Sequence, residues 1–160
     1  MLTSAPIEPG KGHEAGRLLL GQLYRQATGE EMPPIVIDPR GKPHFADSPW
    51  HFSISHTPHH VFVALAQHPI GLDAEELARQ VNPKLAQKIL SPGEYAQYEA
   101  AQDKNKALLT FWVLKEAQGK LTGEGLRPWP NHTNFSLDDK RVFTQDGCIL
   151  ALLEDNPHAF

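Results

Sequence analysis

Between Trp50 and Ala66 the chain first alternates and then saturates with apolar side chains. WHFSISH places Phe52 and Ile54 between polar neighbours, and HVFVALA, beyond the TPH break, is apolar at nearly every position. Alternation predicts a half-buried strand, and a short continuous apolar run predicts a strand covered on both faces. The two read as an antiparallel pair, and IGLDAEE, Ile70 to Glu76, reads as a third strand after the turn at Pro69. Upstream, Ala15, Leu18, Leu19, Tyr24 and Ala27 recur at roughly helical spacing, predicting a helix over Glu14 to Ala27 that stops at Gly29 and carries Arg17 and Arg25. PPIVIDPRGKP then predicts a strand at Ile35 to Ile37 and a stiff Pro/Gly turn presenting Arg40 and Lys42.

Past Glu76 the punctuation becomes helical. Asn82-Pro83 supplies a cap and a first-turn residue ahead of KLAQKIL, and SPGEYAQYEAAQ follows. The longest predicted helix spans Lys104 to Leu121, with Leu108, Leu109, Phe111, Trp112 and Leu114 on a broad apolar face and Gly123 and Gly125 ending it. In the tail, TNFSL, RVFTQDG and CILALLE predict three strands turning at Asp138-Asp139 and Asp146-Gly147, a closing meander. Strands follow a helix in each half, so the pattern predicts an α+β protein with a duplicated plan, resting on element order because the residues themselves do not repeat.

Composition narrows the function classes. A chain of 160 residues with 40% hydrophobic and 21% charged residues can bury a core of its own. Its formal net charge of -4 argues against a general nucleic-acid binder. The longest apolar run, Val61 to Ala66, is too short to span a bilayer, and MLTSAPIEPGKG lacks the order of a secretion signal. Cys148 is the single cysteine, which excludes an internal disulfide and a cysteine-based zinc cluster, and the expectation is a cytoplasmic protein.

Candidate chemistry centres on the acids of IGLDAEE. In a strand, Asp73 and Glu75 point to one face, where two hard carboxylates suit Mg²⁺ with its waters and phosphate oxygens. Alternatively they are first-turn acids favoured by a helix dipole. Trp112, Glu116 and Lys120 form one stripe on the long helix, flanked by Lys115, and read either as a metal carboxylate among phosphate-holding amines or as a solvated Glu-Lys face. Lys42 in RGKP is either a phosphate anchor or a solvated turn residue. Ser55 and His56 are adjacent in a strand and face opposite ways, the wrong geometry for a nucleophile and its base. A zinc site from His56, His59 and His60 lacks recognisable ligand spacing.

In order, RGKPHFADSPWHFSISHT, IGLDAEE, ILSPGEY and FWVLKEAQGKLTGEGL resemble the successive motifs of the Sfp-type 4'-phosphopantetheinyl transferases, and HEAGRLLLGQLYRQ resembles the helix that precedes them. The resemblance implies a fold of two pseudo-symmetric halves, each with a small antiparallel sheet and packed helices. The halves would be residues 1–70, contacting the phosphoadenosine end of coenzyme A, and 71–160, holding Mg²⁺ and the pyrophosphate. It implies transfer of phosphopantetheine from coenzyme A to a serine of an apo acyl or peptidyl carrier protein, with release of 3',5'-ADP. The alternative is a non-catalytic relative that only binds coenzyme A or the carrier. The implied metal ligands are Asp73, Glu75 and Glu116, and the implied catalytic residues Glu116, Lys120 and Glu94. The implied coenzyme contacts are Arg17, Lys42, Pro43, Ser55, His56, Lys115 and Lys120. Lys84, Lys88, Lys104 and Lys106 are candidates for meeting an acidic carrier, or else solvated helix faces. Members usually carry a further strand and helical stretch ahead of the first helix, so the first half is expected to be shortened, in a monomer or a homodimer.

Overall fold

The computed structural model describes residues 1–125 and 133–155. Strand β1 (Leu2–Pro6) leads into helix α1 (Gly12–Thr28), followed by β2 (Ile35–Ile37), β3 (Pro43–Phe45), β4 (His51–His56), β5 (His60–Ala66) and β6 (Ile70–Glu76). A 3₁₀ turn (Pro83–Leu85), α2 (Ala86–Ile89), α3 (Pro92–Ala100) and α4 (Lys104–Thr122) come next, and β7 (Val142–Gln145) and β8 (Cys148–Glu154) close the chain. Two three-stranded antiparallel sheets result, ordered β1-β5-β4 and β6-β8-β7, with β2 and β3 forming a separate ribbon.

The saturated strand is buried on both faces for the reason its pattern suggests. Val61, Val63 and Leu65 pack with Leu20, Leu23 and Tyr24 of α1, whereas Phe62 and Ala64 pack with Ile70, Leu72, Ala74, Cys148 and Leu150. β8 repeats the arrangement, its Ile149, Ala151 and Leu153 facing Leu109, Val113, Leu114 and Ala117 of α4. The layers are therefore helix, sheet, sheet, helix, with period-2 alternation in β5 and β8 supplying apolar side chains to both sides.

Three differences from the sequence reading have local causes. LTSAP, with two apolar residues in five, carries no strand pattern; β1 forms by pairing along β5, with Leu2 opposite Ala64 and Pro6 opposite His60. β3 is three residues long and begins at a proline, inside what reads as a turn. TNFSL is not a strand. Its backbone bonds to side chains of α3 instead, Phe135 N–H donating to Glu94 Oε1 (2.9 Å) and Leu137 N–H to Gln97 Oε1 (3.0 Å), so alternation there reflects anchoring without a ladder.

The sheets meet along β4 and β6 through side chains. Leu72 N–H donates to Ser53 Oγ at 2.9 Å and Ala74 N–H to Ser55 Oγ at 3.1 Å, which satisfies buried donors that no strand partner reaches. Gly71 lets α4 lie against β6, since a Cβ there would stand 2.0 Å from the Ala117 carbonyl oxygen and 2.6 Å from Leu121 N. Gly71→Ala is therefore expected to destabilise the protein by about 1–3 kcal/mol, the cost of overpacking a filled core, measurable as a lowered urea midpoint.

Candidate active site

β6 leaves the core at its C-terminal end, and Asp73 and Glu75 point from its α4-facing side. Asp73 is 6% exposed. Its Oδ1 accepts from Lys120 Nζ (2.8 Å) and Ser55 Oγ (3.1 Å), while Oδ2 is buried without a hydrogen-bond partner. Burial raises its pKa, and the Lys120 ammonium opposes that rise. Glu75 is partly buried and its Oε1 accepts from Trp112 Nε1 at 3.1 Å and from Arg79. Glu116, one turn beyond Trp112 on α4, lines the same 260 Å³ cavity as Asp73, Glu75, Ser55, His56 and Lys120. Burial, then repulsion from Asp73, pushes its pKa up to about 7, with Lys120 pulling the other way.

That cavity opens into a larger cleft of 410 Å³, the two sharing Ile54, His56, Glu116 and Lys120. Basic side chains reach the cleft from the first half: Arg17 from α1, and Arg40 and Lys42 from the loop between β2 and β3, with the His13 imidazole beside them. Lys42 Nζ donates to Leu121 O at 2.7 Å and Arg40 Nη1 to Thr122 O at 3.5 Å, so the loop rests on the last carbonyls of α4, where cations are favoured. Burial lowers the Lys42 pKa against the pull of Asp38. His56 projects from the end of β4 over the first residue of α1, where a Cβ on Gly12 would fall 2.4 Å from its Cγ.

The structure thus brings together Asp73, Glu75, Glu116 and Lys120, with Ser55, His56, Lys42, Pro43 and Arg17 on adjoining walls. It does not bring Glu94 or Lys115 to either cavity. Glu94 is fully buried and Lys115 is 1% exposed, and they pair at 2.8 Å. Glu94 completes a capping box on α3, accepting from Ser91 N–H while Ser91 Oγ accepts from Glu94 N–H, and Lys115 also donates to Thr133 Oγ1. The S-x-x-E spacing of Ser91 to Glu94 is the sequence signal for that structural role. Lys104 likewise serves a helix end, its ammonium bonding the carbonyls of Tyr98 and Glu99. Lys84, Lys88 and Lys106 are exposed. Of the three histidines near residue 56, His59 pairs with Glu76 at 2.8 Å, away from His56 on Gly12.

The family model of the 4'-phosphopantetheinyl transferase superfamily matches residues 69–155, more than half of the chain. The chain belongs to that superfamily. The match covers Asp73 and Glu75 of β6 and the Trp112–Lys120 stripe. Similar proteins include the 4'-phosphopantetheinyl transferase ffp of Bacillus subtilis, 32% identical over 71% of this chain and 54% of its own length. The transferase AcpT of Escherichia coli O157:H7 is 29% identical over 76% of this chain and 68% of its own. The transferase gsp of Aneurinibacillus migulanus is 33% identical over 54% of this chain. This chain spans 36% of gsp and about half of ffp.

The donor set suits a hard divalent cation in this superfamily site: carboxylate oxygens from β6 and α4 line one cavity, and one buried oxygen of Asp73 lacks a partner. Among the described residues no three His, Cys, Asp or Glu side chains are already grouped as a metal cluster. Lys120 pairs with Asp73 and Arg79 with Glu75.

Two residues that the sequence does not single out attend the site, His13 lining the larger cleft and Arg79 pairing with Glu75. Arg79 follows Glu75 by four residues, a spacing that signals an ion pair wherever the chain turns helically. His13 carried no such signal. Breaking the Glu94–Lys115 pair on one side leaves a buried charge unmatched, so Lys115→Met is expected to cost about 3–5 kcal/mol in urea unfolding. The Glu94→Gln/Lys115→Met double variant should lose less than the sum of the singles, and additivity would show that the two groups do not depend on each other.

Proposed function

We propose that this protein transfers the 4'-phosphopantetheine group of coenzyme A to a serine hydroxyl of an acyl or peptidyl carrier protein in a Mg²⁺-dependent reaction that releases 3',5'-ADP. The observation that carries this reading is the junction of the two cavities. Three acids and Lys120 line one end, and Arg17, Lys42 and His56 line the adjoining cleft. A ligand with a phosphorylated nucleoside at one end and a pyrophosphate further along matches that order of charges. The strand orders β1-β5-β4 and β6-β8-β7, the first sheet packed on α1 and the second on α4, support reading the fold as two pseudo-symmetric halves, divided near residue 70.

In this reading Asp73, Glu75 and Glu116 hold Mg²⁺, which when bound neutralises charge on the pyrophosphate. Arg17, Lys42 and His56 hold the phosphoadenosine end, and Ser55 keeps Asp73 oriented through its hydroxyl. Lys120, held by two backbone carbonyls, presents its ammonium where charge accumulates on the departing pyrophosphate oxygen. The serine oxygen forms a new bond to the phosphorus that carries pantetheine, the bond from that phosphorus to the bridging oxygen breaks, and 3',5'-ADP leaves with the electron pair. Glu116 faces the cavity and takes the serine proton, a reading supported by its place in the cavity lining and by the burial of Glu94 in its pair with Lys115. Positioning and charge neutralisation are what such a displacement chiefly requires.

The buried single cysteine accords with a reducing, cytoplasmic setting, and no helix among the described residues is long and apolar enough to cross a membrane. Incubation with coenzyme A, Mg²⁺ and a panel of apo carrier proteins, read by intact mass, should add one phosphopantetheine to at least one of them. Asp73→Asn should reduce the rate at least about 100-fold, the order of loss when a single charge-stabilising group leaves a reacting site. Coenzyme binding without any mass gain would instead support a non-catalytic binding protein.

A further inference from the structure

Two cations attend the acids of β6, and they are held differently. Lys120 Nζ is fixed by Leu72 O (2.9 Å) and Ile54 O (3.4 Å) as well as by Asp73. Arg79 lies outside, 44% exposed at its side chain, pairs with Glu75 Oε1, and has its guanidinium carbon 5.7 Å from the centre of the Trp112 ring. The same Glu75 oxygen accepts from the Trp112 indole. Arg79, Glu75 and Trp112 therefore form a closed triangle, two of whose members, Glu75 and Trp112, line the smaller cavity. The backbone beneath is held independently, because Asn105 Nδ2 donates to Arg79 O (2.8 Å) and Asn105 Oδ1 accepts from Val81 N–H (2.9 Å).

We propose that Arg79 is a resident counter-ion that competes with the divalent cation for Glu75 and so sets how tightly this site binds metal. The proposal rests on Asp73, Glu75 and Glu116 being the metal ligands. A divalent ion on either oxygen of Glu75 shares the carboxylate with the guanidinium, and the two positive charges repel at close range. The guanidinium keeps a position after displacement, since it can remain stacked on Trp112 while its contact to the carboxylate opens. Lys120 cannot serve in this way without leaving two carbonyls unsatisfied. Arg79 thus holds Glu75 toward Trp112 and discourages occupation by a metal ion alone. Phosphate oxygens, when they join the ion, supply the ligation that outweighs the guanidinium.

The test uses the full chain with Mn²⁺ as the probe and no coenzyme, free Mn²⁺ being counted by electron paramagnetic resonance. Arg79→Ala should bind Mn²⁺ about twofold to fivefold tighter than wild type, the range an exposed ion pair of this kind is worth. Arg79→Lys, which keeps the charge, should stay within about twofold of wild type on the same scale. Circular dichroism melts of both variants check that each is folded, and the independent Asn105 contacts make that the expected result. If wild type binds Mn²⁺ and Asp73→Asn does not, yet Arg79→Ala binds no tighter or Arg79→Lys binds as tightly as Arg79→Ala, the counter-ion role is overturned and the metal reading stands. If wild type binds no Mn²⁺, or Asp73→Asn binds as well as wild type, the metal reading falls and this inference falls with it.

Discussion

The ammonium group of Lys120 joins three layers, its own helix and the two sheets. It donates to Ile54 O on β4, to Leu72 O on β6 and to Asp73 Oδ1, and it is carried by α4. An ammonium has three protons to give, and here each has a receiver on the seam between the sheets. The position of α4 against β6 depends on this, because Gly71 leaves no side chain to hold the helix off and Lys120 pulls its last turn inward. Glu116, one turn earlier on the same helix, is brought to the acids of β6 by the same docking.

The seam explains why Asp73 is tolerated at 6% exposure. β4 and β6 come close without sharing a backbone ladder, so buried N–H groups of β6 would go unmatched were it not for Ser53 and Ser55. A serine hydroxyl accepts and donates at once, and Ser55 uses both capacities, receiving Ala74 N–H and giving its proton to Asp73. An apolar residue at either position would leave a donor orphaned, a cost of about 1–3 kcal/mol. The alternating polar positions of WHFSISH are thus neither solvent-facing nor catalytic by themselves; they replace a missing strand partner and orient the central carboxylate.

That outcome marks the limit of what the sequence discloses. Elements whose side chains alone decide them were legible: β5 from its saturated run, α1 and α4 from helical spacing, β7 and β8 from the Asp146-Gly147 turn, and the shared face of Asp73 and Glu75 from strand period. Elements decided by a distant partner were not. β1 exists because β5 offers it an edge, and residues 133–137 lack a ladder because Glu94 and Gln97 take their N–H groups. The motif resemblance placed Glu116, Lys120, Lys42 and His56 on common walls, where spacing alone left each open. It could not show that Glu94 and Lys115 spend their charges on each other, although Ser91-x-x-Glu94 carried the capping signature in plain view.

Several of the charged groups around the two cavities already have protein partners. Asp73 has Lys120, Glu75 has Arg79, and Lys42 has a carbonyl of the last turn of α4. A polyanionic ligand entering such a site exchanges partners rather than meeting bare charge. Its affinity is then a difference between two sets of good contacts, smaller than the sum of the new ones. The exchange also has structural reach. Lys42 sits on the loop from the first half while its partner is the end of α4, so a phosphate that draws Lys42 away loosens the cap on the helix that carries Glu116 and Lys120. The cationic cleft and the acidic cavity are in contact through that one helix terminus.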